Sequence, residues 1–192
     1  MRRSPMPDRK VPMSRAGLRV VGDANISPDG QYRWSLHREW RVATAPRWIT
    51  FVMLNPSTAD ANIDDPTIRR CIGFAKAFGG TGLAVVNLYA FRATKPADLW
   101  RCHDPVGPEN DGHLAMFFAM ASRYDFPIIA AWGAHARPDR VAQVLALPGA
   151  DRLTALGVTK DGAPRHPLYL RGDALPEPWP PARVFPPGVD GG

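Results

Sequence analysis

The most chemically suggestive residues follow an apolar run, in the segment FVMLNPSTADANIDDPT (51–67). Asn55 ends the apolar part, and Pro56 restricts the backbone conformation of that asparagine. Its side-chain carbonyl can orient a water, or its amide can pair with the amide-like edge of a base. Ser57 and Thr58 add hydrogen-bond donors. We therefore interpret these four residues as part of a ligand site, with Asn55 as its chemical centre.

Three aspartates in the same segment allow two interpretations. Asp60, Asp64 and Asp65 supply oxygen atoms of the kind that bind divalent metals, which would suit phosphoester chemistry. Aspartate is also an ordinary helix cap, and Pro66 after Asp65 is typical of a first helical position. Capping explains Asp65 well, so we assign no metal site and keep metal-dependent chemistry as the weaker alternative.

Two polar residues accompany the second apolar run, AVVNLYAFR (84–92). Asn87 lies inside the run, where an unpaired amide would cost about 1–3 kcal/mol, so it needs a core partner or a ligand. Arg92 follows the run and suits a phosphate, a carboxylate or one of the aspartates. Both residues are candidate substrate-binding groups.

Two histidines are candidates for chemistry. His166 lies in the segment PRHPLY, where the two prolines stiffen the chain and hold the imidazole in one direction. Such a ring can polarise a leaving-group oxygen or hold a phosphate. His135 follows the third apolar run and is the second candidate.

Several classes of site have no motif in the chain. The sequence has no Walker A loop, no GxGxxG and no GxSxG, which argues against ATP hydrolysis, dinucleotide redox chemistry and lipase-type acyl transfer. We therefore expect no cofactor. Cys71 and Cys102 have no CxxC partner and are interpreted as free thiols rather than metal ligands.

The elements that must position these residues follow from the periodicity of apolar positions. Strand and helix patterns alternate along the chain, which is typical of a three-layer α/β/α domain with a central, mainly parallel four-stranded sheet. The predicted strands are 47–54, 82–91, 127–133 and 152–158, and the predicted helices are 65–78, 109–122 and 138–147. A Pro-Asp-Gly turn within 26–40 predicts an additional N-terminal β-hairpin. Because parallel strands end at one edge, their polar loops should meet there.

The charge is concentrated at one end of the chain. Residues 1–19 carry six basic residues against one acidic residue, so they hold +5 of the net charge of +6. We predict a basic disordered tail at 1–22, one α/β domain at 23–175 and a Pro-rich tail at 176–192. The basic tail can bind phosphate backbones or simply aid solubility. With no secretory signal and no apolar run long enough for a membrane span, we expect a cytoplasmic protein that does not bind membranes, whose oligomeric state stays open.

Several long segments resemble a known family. They are MLNPSTADANIDDPTIRRC, VVNLYAFRATKP, DPVGPEND, AAWGAHA and LGVTKDGAPRHPLYL. Together they closely resemble the bacterial and phage proteins gathered as domain-of-unknown-function family 1643, over about residues 30 to 172. That family brings no established activity.

A more distant resemblance is to the uracil-DNA glycosylase superfamily. Those enzymes have a first parallel strand ending in Gly-Ile-Asn-Pro-Gly or Gly-Gln-Asp-Pro-Tyr, a later strand ending in Leu-Trp-Gly-x-x-Ala, and a C-terminal His-Pro-Ser loop. This sequence has Asn55-Pro56, Trp132-Gly133 and His166-Pro167 in the same order. The resemblance implies a glycosylase-like fold.

The same resemblance implies roles for individual residues. Asn55 would position the attacking water, and His166 would stabilise the departing base. Such enzymes hold the base in a pocket against an aromatic ring, here Tyr89 or Phe91. We therefore expect a hydrolase acting on the N-glycosidic bond of a base in nucleic acid or a nucleotide, in DNA repair or modification. The alternative is a non-catalytic module that binds nucleotides or nucleic acid in a phage-related or DNA-modification system.

Overall fold

A mixed β-sheet with helices packed on it forms the centre of the protein. The structure, a computed structural model, describes residues 21–40, 45–57 and 64–180. Within these residues the strands are β1 (Val21–Ile26), β2 (Arg33–Glu39), β3 (Trp48–Met53), β4 (Gly82–Asn87), β5 (Ile128–Ala130), β6 (Leu153–Ala155) and β7 (Glu177–Pro178). The helices are α1 (Pro66–Ala77), α2 (Pro96–Leu99), α3 (Asn110–Tyr124) and α4 (Pro138–Leu145), with 3₁₀ turns at Ala150–Arg152 and Pro167–Tyr169. This element content confirms the predicted α/β class.

The strand order across the sheet is β1-β2-β4-β3-β5-β6-β7. The neighbours among β4, β3, β5 and β6 pair in parallel, whereas β1, β2 and β7 pair antiparallel at the two sides. The predicted N-terminal hairpin is β1–β2, and it joins the same sheet because Leu36 pairs with Val85 of β4. The sheet is therefore wider than the predicted four strands.

Each face of the sheet carries its own hydrophobic core. Successive side chains of a strand point to opposite faces, so Phe51 and Val85 pack in one cluster while Val52 and Val86 pack in the other. The first cluster includes Ile68, Cys71 and Phe74 of α1, and the second includes Leu114 and Phe118 of α3. We call these the α1 face and the α3 face.

Helix α1 begins where the sequence predicts. The carboxylate of Asp65 accepts a hydrogen bond from the backbone N–H of Ile68 at 2.8 Å, and Pro66 occupies the start of the helix. The cap satisfies one of the N–H groups that the first helical turn leaves without a partner. Gly79 ends the helical segment with a φ of 74°, a left-handed conformation that glycine adopts without a steric penalty. The start of α1 is thus fixed directly behind the loop that follows β3.

The domain extends beyond the predicted boundary at 176. Glu177–Pro178 forms β7 against β6, and Trp179 is buried with its Nε1 donating to the Gly162 carbonyl. A two-residue strand next to prolines has too few positions to show an alternating pattern, and proline is tolerated there because β7 is an edge strand. Of the tails predicted at 1–22 and 176–192, residues 1–20 and 181–192 lie outside the described residues, and Val21 and Gly22 belong to β1.

Two further observations concern the described residues. Cys71 is a buried free thiol and Cys102 a half-buried one. No helix in the described part of the chain is long and apolar enough to cross a membrane.

The helix cap can be tested by substitution. We expect Asp65→Ala to destabilise the protein by about 1 kcal/mol, because the Ile68 N–H loses its acceptor, and to lower the Tm by about 2–4 °C. Asp65→Asn should retain most of that stability, since asparagine also caps helices. Asp98→Ala is the matched control, because Asp98 forms only an exposed ion pair with Arg101, worth at most about 1 kcal/mol. Equal Tm values for Asp65→Ala and the wild type in thermal unfolding would contradict the role of the cap.

Candidate functional site

A cavity of about 450 Å³ lies at the carboxyl ends of the parallel strands. The loop after β3 contributes Asn55 and Ser57, and the loop after β5 contributes His135. The segment after β6 contributes His166 and Tyr169. The cavity volume falls within the range of about 300–1,000 Å³ typical of small-molecule sites. The structure thus brings both proposed catalytic residues, Asn55 and His166, to one cavity.

The Asn55 side chain is held in one orientation by backbone carbonyl groups. Its Nδ2 donates to the Pro56 carbonyl at 2.9 Å and to the Ala93 carbonyl at 2.8 Å. Only the nitrogen end of the amide can face two acceptors, so the orientation is determined by the partners. Within the described residues no donor reaches Oδ1. Asn55 therefore offers the cavity an acceptor and no donor.

The aspartates after β3 have structural partners. Asp65 accepts from the Ser57 hydroxyl at 3.2 Å with one oxygen while its other oxygen caps α1. Asp64 forms an ion pair with the buried Arg38 at 2.8 Å. In the described ranges there is no group of three or more His, Cys, Asp or Glu side chains that could hold a metal ion. Asp60 and the predicted site residue Thr58 lie outside the described residues.

His166 is held as a neutral ring with a defined acceptor nitrogen. It precedes the 3₁₀ turn Pro167–Tyr169, and its Nδ1 accepts from the backbone N–H of Leu168 at 3.3 Å. In the neutral imidazole the proton therefore lies on Nε2. Burial lowers the pKa of His166 below its usual 6.5, and the negative charge of Asp65 opposes this shift without cancelling it. Near neutral pH the ring is thus uncharged, with Nε2–H as its donor.

The loop that carries His166 is tied to neighbouring elements. The Pro164 carbonyl accepts from the backbone N–H of Gly133 at 2.9 Å, and the Arg70 guanidinium of α1 donates to the Leu170 carbonyl. Gly133 has a φ of 76°, in the left-handed region, and a Cβ placed there would lie 3.7 Å from the Cβ of His166. The loop after β5 and the His166 loop therefore meet directly at the cavity.

Five predicted binding residues do not line this cavity. Pro56 is buried, and its carbonyl accepts from Asn55 and from the Ala93 backbone. Tyr89 is 2% exposed and packs edge-on against Trp100, while Phe91 packs against Tyr32, so neither ring is placed to stack on a ligand in the cavity. The remaining two are Asn87, which is buried, and Arg92, which donates to the Gly30 carbonyl. The residues directly after β4 are still buried, so the aromatic side chains there pack against other side chains of the protein.

Two aromatic residues that the sequence analysis did not assign to the site line the cavity. Trp132 is packed perpendicular to Trp179, with ring centroids 5.0 Å apart. Tyr169 is 73% exposed and its ring lies 5.7 Å from that of His166. The spacing of three residues between His166 and Tyr169 is the repeat of a 3₁₀ turn, so this pair was detectable once that turn was assigned. Trp132 is as buried as Tyr89, at 2% exposed, so Tyr169 is the accessible aromatic ring of the cavity lining.

Comparison with known proteins gives one result for the sequence. Residues 33–168 match the model of a family described as "Protein of unknown function (DUF1643)". The matched segment begins with β2 and includes Asn55, His135 and His166. The search of curated proteins finds no match.

The locked orientation of Asn55 predicts a specific effect of charge. In Asn55→Asp a carboxylate replaces the Nδ2 donor and faces two carbonyl oxygens, so we expect a loss of about 1–3 kcal/mol at pH 7. The ionised form is disfavoured in the folded state, which raises the pKa of the new carboxyl above its unfolded value of about 3.9. The destabilisation should therefore be small near pH 3 and grow as the pH rises through 4.

Urea unfolding at several pH values measures this dependence. Asn25→Asp is the matched control, because Asn25 is exposed on β1. A constant difference between Asn55→Asp and the wild type across pH 3 to 7 would contradict the assigned orientation.

Proposed function

The chain belongs to this family of proteins of unknown function, and we propose from the chemistry of its cavity that it is a glycosylase-like hydrolase. Its substrate would be the N-glycosidic bond of a base in nucleic acid or a nucleotide. The observation that carries the proposal is that Asn55 and His166, one offering an acceptor and one a donor, line the same cavity. N-glycosidic hydrolysis needs both groups, one for the incoming water and one for the departing base.

The reaction assigns a separate task to each residue. Asn55 Oδ1 accepts a hydrogen bond from a water and directs the water oxygen at the anomeric carbon. The bond between that carbon and the base nitrogen breaks, and its electron pair passes to the base. His166 Nε2–H donates to a base oxygen where negative charge develops. The water's hydroxyl group ends on the sugar carbon and its remaining proton ends on the base.

The chemistry of an amide determines the order of these events. An amide oxygen is too weak a base at neutral pH to remove a proton from water. Bond breaking must therefore run ahead of water attack, because a cationic sugar carbon accepts a neutral water. Stabilisation of the departing base then supplies most of the rate. A base with an exocyclic oxygen that can carry negative charge suits this site best.

The surroundings of the cavity support the same proposal. Tyr169 offers aromatic surface for a base, and the volume of about 450 Å³ leaves room for a base and a water. The motifs Asn55-Pro56, Trp132-Gly133 and His166-Pro167 each supply lining residues, as the likeness to uracil-DNA glycosylases requires. The parallel pairing of β4, β3, β5 and β6 is in keeping with a fold of that kind.

One observation favours a second function. The cavity lining within the described residues includes no carboxylate that could take a proton from water. A module that binds a base or nucleotide without hydrolysing it would need only the hydrogen bonds of Asn55 and His166. Ligand binding without base release would favour this non-catalytic alternative.

Substitution of the two residues tests the proposal. We expect Asn55→Ala and His166→Ala each to slow base release by about 10²–10³-fold, because each removes a hydrogen bond made to the transition state. The measurement is release of free base from nucleotides and from single- and double-stranded oligonucleotides carrying modified bases. Asn25→Ala and His103→Ala are matched controls, since both residues are exposed. Full activity of Asn55→Ala with a wild-type Tm would refute the mechanism.

The pH dependence follows from the lowered pKa of His166. If the neutral ring is the active form, kcat/KM should fall as the pH drops through that pKa, with a midpoint below 6.5. Between pH 7 and 8 His166 stays neutral, so its ionisation should not change the rate. The acidic limb should be absent from the residual activity of His166→Ala. A rate that rises as the pH falls below 6.5 would instead identify the imidazolium as the active form.

A further inference from the structure

Arg33, at the start of β2, is a buried arginine that has no hydrogen-bonding partner among the described residues. The residue is 5% exposed, its Nε has no hydrogen-bonding partner, and no ion pair or hydrogen bond reaches its guanidinium in the described part of the chain. Burial, with a smaller contribution from the positive charge of Arg92, lowers the pKa of Arg33 to about 10, which leaves it charged at neutral pH. An unpaired buried charge is costly for a folded protein.

Other buried arginines in the structure show what Arg33 lacks. Arg38 forms its ion pair with Asp64. Arg140 donates to the Leu88 carbonyl and to the carboxylate of Asp111. The fold therefore supplies acceptors to these two guanidinium groups and supplies none to Arg33.

A second unpaired donor lies at the same edge of the sheet. Asn87 ends β4, is 1% exposed, and its Nδ2 has no partner. Because β2 runs antiparallel to β4, the start of β2 lies at the end of β4, and the Arg33 backbone N–H donates to the Ala90 carbonyl at 2.9 Å. Asn87 takes the α1 face, since Val85 packs in the cluster of that face.

One of the charges that act on Arg33 belongs to Asp65, the residue that caps α1. The other two belong to Arg92 and Arg38. Asp65 also accepts from Ser57 of the cavity and acts on the charge of His166. The charge of Asp65 thus acts on both Arg33 and the cavity residue His166.

The unpaired atoms of Arg33 and Asn87 are both N–H donors, so the missing group is an acceptor with several oxygens. Arg33 is charged at neutral pH and no carboxylate among the described residues pairs with it, so that group should be an anion. A phosphate matches the fork of an arginine and has further oxygens for an amide. The deep burial of both side chains suits a terminal phosphate, because a continuous nucleic-acid backbone could not be enclosed there.

We propose that Arg33 and Asn87 form a subsite for the phosphate monoester of a nucleotide whose base occupies the cavity. This inference rests on the proposed function, since it assigns the substrate of the same site to the nucleotides.

Phosphate binding by the full chain tests the subsite. We expect inorganic phosphate to raise the Tm of the wild type and of Arg101→Met, a matched control whose side chain is 80% exposed. Arg33→Met should lose this shift, yet without phosphate its Tm should equal or exceed that of the wild type, because a buried unpaired charge has been removed. A lower Tm with unchanged phosphate binding would overturn the proposal in favour of a structural arginine.

Calorimetric titration then compares uridine and adenosine 5′-monophosphate with the corresponding nucleosides. We expect Arg33→Met and Asn87→Leu to weaken nucleotide binding at least tenfold and to leave nucleoside binding unchanged. If Arg33→Met does not fold, Arg33→Lys keeps the charge without the guanidinium fork and should also weaken nucleotide binding about tenfold. Unchanged nucleotide affinity in the folded variants would overturn the proposal.

Three further outcomes distinguish the source of the phosphate from the link to catalysis. Arg33-dependent binding of an oligonucleotide without terminal phosphates would overturn the assignment to a monoester. Binding needs no base release, so Arg33-dependent phosphate binding by an inactive protein would refute only the proposed hydrolase. Equal base release from nucleosides and nucleotides, unaffected by Arg33→Met, would refute only the subsite.

Discussion

The carboxylate of Asp65 connects the parts of the structure on which the candidate site depends. One oxygen caps α1 and thereby fixes where the helix begins, and the other accepts from Ser57 at the cavity. Its negative charge also opposes the effect of burial on the pKa of both His166 and Arg33. A helix start, a cavity wall, a neutral histidine and a buried cation are thus arranged around one side chain. That is a different role from the metal ligand that the density of aspartates in this segment also allows.

Some polar groups of the cavity and of its surroundings have no hydrogen-bonding partner among the described residues, and they include both donors and acceptors. Asn55 uses its donors on backbone carbonyls and leaves an acceptor, whereas Arg33 and Asn87 leave donors. His166 uses Nδ1 as an acceptor and retains a donor at Nε2. The proposed ligands, a nucleotide and a water, would meet these groups with a donor at Asn55, an acceptor at His166 and an anionic acceptor at Arg33.

The periodicity of apolar residues was sufficient to predict the main helices and strands. It was not sufficient to predict how deeply individual side chains are buried. Long apolar runs and the Asp65 cap were predictable because helix and strand place side chains at different intervals. The burial of Arg33 was not predictable, because the alternation of Tyr32, Trp34 and Leu36 assigns Arg33 to the opposite, polar side of β2. A register irregularity opposite it, between Asn25 and Ile26, breaks that alternation, and a shift of one residue exchanges the faces of a strand.

The candidate site was predictable to a similar extent. Asn55 and His166 were identifiable from the loops they occupy, since strand ends of a parallel sheet converge. Tyr89 and Phe91 do not line the cavity, and the sequence does not show where the chain leaves the interior: β4 ends at Asn87, yet Leu88, Tyr89 and Ala90 are still buried. The shortest elements, α2 and β7, have too few residues for any period to be visible.

The unpaired donors also bear on the energetics of the domain. Arg33 is charged at neutral pH and no described residue supplies an acceptor for it, so part of the free energy gained from packing offsets its burial. A ligand that supplies the acceptor removes this cost in addition to making its own contacts. Because such a ligand binds the folded state alone, its binding and the stability of the domain are thermodynamically linked.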